Sequence, residues 1–303
     1  MSEKRFLILS DGKPGHVNQS IAFARHLGCD YDLVPVSFPA RCLKAASYLA
    51  DCFGIYSEKL FCTEVTESNY NAVVSAGSET YYANKTVAKQ LGLKAIAIML
   101  PKGYRYNFDL IVAQQHDNPP AKPNILNLPI NLTYVEPLGI VQPVAEGKYI
   151  SFVIGGESAH GTLDAALLRK QIQQIFALFP DHRKWMTTSR RTPAKVEEML
   201  REFQFERAVY FSQEPVNPIP DFLEYSEYVF LTADSSSMIS EAVSFGSACV
   251  EVLPLKDRES GHGKFFHLLS GLERQGCLHL FAGSAGCTRN KIDLSSLLKG
   301  LRL

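Results

Sequence analysis

The chain has 303 residues, enough for one large domain or two of ordinary size, and 46 % of them are apolar, so a sizeable core is available. Thirty-one basic and 31 acidic residues leave a formal charge of zero, which excludes the basic footprint that nucleic-acid binding requires. Seven cysteines, from Cys29 to Cys287, show neither C-x-x-C pairs nor zinc spacing, so they read as reduced thiols and not as a disulfide framework. The opening MSEKRFLILSDG holds too short an apolar run for a signal peptide or a membrane span. A soluble cytoplasmic protein is expected, and peripheral membrane contact through a shallow apolar patch stays open.

Short apolar runs alternate with longer amphipathic segments. Strands are expected at Phe6–Leu9, Leu33–Val36, Ala72–Ser75, Ala95–Met99 and Leu110–Ala113, with helices at Asn18–Leu27 and Glu79–Leu91. Asn118 to Gly147 is rich in Pro, Asn and Gly, lacks helical periodicity and reads as a linker. The pattern then restarts. Strands are expected at Tyr149–Ile154, in KWMTTS, at 208–211, 228–231 and 249–252, and helices at Leu163–Phe179, Ala194–Phe203 and Met238–Phe245. The strand–helix rhythm implies two α/β halves with parallel sheets covered on both faces. Residues 1–140 form the first domain and 141–303 the second, with the break between about Asn131 and Lys148. In open α/β sheets ligands bind beyond the carboxyl ends of the strands, so the two halves are expected to line a cleft.

Five loops carry the candidate chemistry. SDGKPGHVNQS supplies Asp11, Gly12, Lys13, Gly15, His16, Asn18 and Gln19. It matches neither the dinucleotide fingerprint nor the P-loop, and His16, just ahead of the expected helix, suits a base of near-neutral pKa. A tight turn with a solvated histidine explains the same residues. GGES places Gly155 and Gly156 after a strand, where they fit a phosphate cradle or a plain turn. TTSRRTP brings Ser189, Arg190 and Arg191 to a strand end, matched to phosphate oxygens or to solvent. TADSSSMISEA starts a helix with Ser235, Ser236 and Ser237. Three residues after these serines stand Met238, Ile239 and Ser240, so Glu241 is out of register for a capping box and is left free to accept from a pair of ribose hydroxyls. LKDRESGHGKFFHLL gathers Lys256, Arg258, His262 and Lys264, either a mobile loop at the cleft or an exposed charged one. Tyr81 and Lys85 form Y-x-x-x-K, but the glycine fingerprint that short-chain dehydrogenases need is missing, so the match is chance.

SDGKPGHVNQS, SAGSET, GGES, TTSRRTP, TADSSSMISEA and GHGKF, in this order, resemble the plant mitochondrial-fission (elongated-mitochondria) factor family and its bacterial relatives. That family is similar to GT-B glycosyltransferases, and the layout also resembles the peptidoglycan GlcNAc transferase. The resemblance implies two Rossmann-like αβα domains. It places the acceptor on the N-terminal side, at Gly12, Lys13, Gly15, Asn18 and Gln19, with His16 or Asp11 as base. It places a nucleotide-sugar on the C-terminal side, at Gly155, Gly156, Ser189, Arg190, Arg191, Ser235–Met238, Glu241 and Lys264. It further implies metal-independent transfer to a sugar or lipid-linked acceptor, with no cofactor beyond the donor itself. The position eight before Glu241 is Ala233, a departure from the E-x7-E of many retaining enzymes. A 2-epimerase-like enzyme and a non-catalytic nucleotide-binding scaffold are the alternatives.

Overall fold

A computed structural model describes residues 4–66, 69–103, 105–144, 146–158, 161–256 and 263–301. It divides into two compact units, Met1–Tyr134 with Asp293–Leu303, and Val135–Ile292.

In the first unit six parallel strands form one sheet: β1 (Arg5–Ser10), β2 (Asp30–Pro35), β3 (Ala72–Ala76), β4 (Lys94–Ile98), β5 (Leu110–Gln114) and β6 (Ile125–Leu128), in the order β2-β1-β3-β4-β5-β6. Helices α1 (Pro14–His26), α2 (Arg41–Cys52) and α3 (Tyr81–Leu91) connect them. Strands β3 and β5 are buried along their whole length, which is why they read as continuous apolar runs and not as alternating ones. The core gathers Leu7, Leu9, Val73, Tyr82, Val87 and Ile111. At the edge, β2 alternates exposed and half-buried residues and carries Asp30 and Asp32, charges that discourage edge-to-edge pairing.

The second unit repeats the plan with β7 (Tyr149–Ile154), β8 (Arg183–Thr188), β9 (Arg207–Val209), β10 (Tyr228–Thr232), β11 (Cys249–Leu253) and β12 (His279–Leu280), in the order β12-β11-β10-β7-β8-β9, again all parallel. Its helices are α4 (Ala165–Leu178), α5 (Ala194–Leu200), α6 (Ile219–Tyr225), α7 (Ser236–Ser244) and α8 (Lys264–Arg274). Phe152 centres the core, with Phe176, Phe205 and Phe230 ring centroids 5.4–5.9 Å away.

Two expectations are corrected. The Asn118–Gly147 stretch is not all linker, because β6 lies inside it and completes the first sheet. Residues 138–141 of the stretch are held by a side chain: the buried Asp221 carboxylate accepts from the amides of Leu138, Gly139, Ile140 and Val141 at 2.7–3.0 Å. The C-terminal residues do not stay with the second domain. Helix α9 (Leu294–Leu298) packs on α1, where His26 accepts or donates to Ser295 Oγ at 2.9 Å and donates to the Thr133 carbonyl at 2.7 Å. Among the described residues no helix is long and apolar enough to cross a membrane.

Candidate active site

Each sheet has one switch point, where successive connections leave in opposite directions: between β1 and β3 in the first unit, and between β7 and β10 in the second. Ligands of open α/β sheets bind beyond the carboxyl ends of strands at such points. The loops after β1 and β3 carry Asp11–His16 and Gly77–Thr80; those after β7 and β10 carry Gly155–Ser158 and Ala233–Ser235.

At the first switch point, α1 begins at Pro14, so Gly15 and His16 lie within its first turn and not ahead of it. Proline suits this position because its missing N–H would have no partner there. The Asp11 carboxylate, 1 % exposed, accepts from His16 Nδ1 at 2.8 Å, from the Lys13 amide at 3.2 Å and from Lys13 Nζ at 3.2 Å. Burial pushes this carboxyl up, but the bonds from His16 and Lys13 outweigh it, and the group is held below the usual carboxylate range. Asp11 is therefore an anion that orients the imidazole. With Nδ1 donating to Asp11, His16 Nε2 is the basic nitrogen, and it has no partner among the described residues.

Gly77 makes room for this pair. Its φ is +89°, and a Cβ there would stand 2.4 Å from the His16 ring and 3.3 Å from Asp11 Oδ2. The loop is braced by Lys13, which also reaches Glu79 at 3.2 Å, and Glu79 takes Lys44 at 2.9 Å. Gly12 donates to Ser10 Oγ at 3.0 Å. Gln19 turns inward to accept from Gln114 at 3.2 Å, while Gly15 and Asn18 are exposed. Tyr81 and Lys85 are structural: Tyr81 donates to the Ile98 and Met99 carbonyls, and buried Lys85 is held by Asp51 at 2.8 and 3.1 Å and by Asn107.

The second switch point is built on Asp234, fully buried and not singled out by the sequence. Its carboxylate takes Thr232 Oγ1 at 2.6 Å, the Gly156 amide at 3.2 Å and Arg191 Nη2 at 2.7 Å. Burial outweighs these bonds and raises its pKa. Gly155 donates to Thr232 Oγ1 at 2.8 Å. A Cβ on Gly155 would lie 2.0 Å from Asp234 Oδ1, and one on Gly156 would lie 2.1 Å from the Arg191 carbonyl oxygen. The two glycine amides are thus engaged inside the fold and are not open to cradle a phosphate. Arg191 is likewise engaged, through Asp234 and the Glu157 carbonyl at 3.2 Å. Thr192 stitches the loops together by donating to the carbonyls of Ile154 and Gly155 at 3.0 and 2.6 Å. Ser189 caps this turn, accepting from the Arg191 amide at 3.2 Å.

What remains open lies around α7. Ser235 is its N-cap and accepts from the Met238 amide at 3.4 Å; Ser236 and Ser237 open the first turn, Ser237 exposed and Met238 buried. Arg190, next to Arg191 in sequence, is exposed and has no partner among the described residues. Glu241 is half-buried and its carboxyl has no hydrogen-bond partner among the described residues; burial alone pushes it up to about 7. A carboxyl left without a donor in such a setting is costly unless a ligand supplies one. Lys264 is the exposed first residue of α8. Lys256 meets Asp164 at 3.9 Å, and Arg258 and His262 lie outside the described residues.

Among solved structures, the fold is similar to the glycosyltransferase of kitacinnamycin (13 % identity, 99 % of this chain and 92 % of that one, TM-score 0.53). It is similar also to Arabidopsis thaliana UGT89C1 complexed with UDP-L-rhamnose (10 %, 98 % and 88 %, 0.52). A third similar structure is a protein from Listeria monocytogenes assigned as a UDP-N-acetylglucosamine 2-epimerase (11 %, 98 % and 94 %, 0.52). No curated protein sequence matches the chain. The two parallel-sheet, Rossmann-like halves are the GT-B arrangement of α/β fold. The profile described as Mitochondrial fission ELM1 matches residues 14–296, nearly the whole chain, and the protein belongs to that family.

Proposed function

We propose that the protein is a metal-independent glycosyltransferase that moves a sugar from a nucleoside-diphosphate sugar to the hydroxyl of a sugar or lipid-linked acceptor. The observation that carries this reading is the Asp11–His16 pair at a sheet switch point, bonded at 2.8 Å with Nε2 left open. In it, Nε2 takes the acceptor's hydroxyl proton, and the oxygen attacks the anomeric carbon as the nucleoside diphosphate departs. Asp11 holds the ring and stabilises the imidazolium that forms. A single displacement of this kind inverts the anomeric centre.

In the second unit, the first-turn amides of α7 and Arg190 are the groups suited to the diphosphate, and their positive ends meet the charge that develops on the leaving oxygen. Glu241, six residues into the Ser235-capped helix, is suited to a ribose diol, whose two hydroxyls would supply the donors its carboxyl lacks. Arg191, Gly155 and Gly156 act here as the frame that sets the loop, not as ligand contacts.

Release of nucleoside diphosphate from a panel of nucleotide sugars, with candidate acceptors present, tests the reaction. Asp11→Asn and His16→Ala should each lower turnover by about 10²-fold or more. A sugar nucleotide isomerised without any acceptor would assign the chain instead to the 2-epimerase reaction. Binding without turnover in the wild-type protein would assign it to a scaffold.

A further inference from the structure

Arg105 is a charge that the chemistry above leaves unused. It is 7 % exposed, in the loop that leaves the carboxyl end of β4. Tyr48 of α2 lies against the guanidinium, 4.7 Å from ring centroid to Cζ. Its Nη1 is buried without a hydrogen-bond partner, and no carboxylate among the described residues pairs with it. An arginine does not escape by losing its proton, so a buried guanidinium without an anion is costly. The same unit shows the alternative: Lys85, equally buried, is answered by Asp51 on α2 and by Asn107.

The position of Arg105 is informative. Its loop starts at Met99, whose φ of +72° places a side-chain-bearing residue in the left-handed region. Such strain persists where the surroundings enforce it, and here Tyr81 does so by donating to the carbonyls of Ile98 and Met99 at 2.8 and 3.0 Å. Because β1, β3 and β4 run parallel, the Arg105 loop leaves the same end of the sheet as the loop that holds the Asp11–His16 pair. Lys13 and Lys44 stand at this end too, sharing Glu79, and Lys102 is exposed in the Arg105 loop.

We propose that this end of the first sheet is an oxyanion subsite in which Arg105 receives a phosphoryl or carboxylate group of the acceptor, making the acceptor an anionic molecule. The fork of a guanidinium matches two oxygens of either group, and Tyr48 beneath it fixes the plane of approach. The inference rests on His16 serving the acceptor, but the subsite itself is testable without turnover.

The experiment is hydrogen–deuterium exchange on the full chain with millimolar pyrophosphate or malonate, in wild type, Arg105→Met and Arg105→Lys. Anion binding should slow exchange of residues 99–107 and of the start of α3 in wild type, about tenfold or more at saturation. Arg105→Met should lose the effect; Arg105→Lys, which keeps the charge but not the fork, should need roughly tenfold more anion. Protection by pyrophosphate alone identifies a phosphoryl group, and by malonate alone a carboxylate. A nucleoside diphosphate in a parallel sample reports on residues 233–241, so loss of that signal with 99–107 still protected counts against the nucleotide site and not against this one. No protection of 99–107 by either anion, or equal protection in all three proteins, overturns the subsite.

Discussion

The two switch points are made of the same parts and put them to different uses. Each has a buried carboxylate just past a strand, Asp11 after β1 and Asp234 after β10, and each carboxylate grips a basic side chain. Each is backed by a glycine with no room for a Cβ. At the first, the bonds from His16 and Lys13 overcome the effect of burial, and Asp11 is held as an anion beside a half-exposed imidazole. At the second, burial prevails over three hydrogen bonds, and the carboxyl is raised. Asp234 closes the loop on itself, through Gly156, Thr232 and Arg191. One arrangement leaves a ring nitrogen open; the other fixes a frame.

This difference is easiest to break at the glycines. Gly155→Ala would press its methyl against a fully buried carboxylate, which has nowhere to go. Urea denaturation should show a loss of about 3 kcal/mol or more. Gly77→Ala would press against the His16 ring, which can swing outward. Its stability loss should be smaller, about 1–2 kcal/mol from the strained backbone, while turnover falls roughly 10²-fold because the Asp11–His16 bond is lost. If Gly77→Ala kept full turnover, or if both variants lost stability equally with activity intact, the contrast between a reactive pair and a frame would fail.

Glu241 sharpens the same contrast by pH. A carboxyl raised from 4.5 to about 7 by burial favours the folded state while protonated and costs stability as pH rises through that window. Glu241→Gln should therefore be more stable than wild type at pH 8, by roughly 1–2 kcal/mol after allowing for the partial exposure, and no more stable at pH 4. Nucleotide affinity should move the other way, rising with pH in wild type and staying flat and weaker in the variant. Melts of equal stability at both pH values would show that the carboxyl already has a partner.

Much of the fold is legible in the residues because parallel strands buried on both faces read as unbroken apolar runs, as in VVSA, LIVA and YISFVI. The elements that escape notice have physical reasons. Strand β6 is four residues, ILNL, set between Pro123 and Pro129. Helix α2 turns Leu49 outward and buries Asp51 and Ser47, so its apolar periodicity does not mark a core face. Helix α8 begins inside a run of charge. In the site, His16 and Ser235 stand out because they sit in glycine- and serine-rich loops. Gly77, Asp234 and Arg105 do not, because each matters through a contact between elements far apart in sequence. The sequence leaves Arg191 open to a phosphate or to solvent for the same reason: the buried carboxylate that claims it lies 43 residues away.

Titration calorimetry with a nucleoside diphosphate, in wild type, His16→Ala and Glu241→Ala, tests most directly whether the two switch points divide acceptor and donor between them. His16→Ala should bind within about twofold of wild type, and Glu241→Ala should lose about 1–3 kcal/mol, roughly five- to 150-fold. Loss of nucleotide binding in His16→Ala, with Glu241→Ala unchanged, would place the nucleotide at the first switch point and contradict the division.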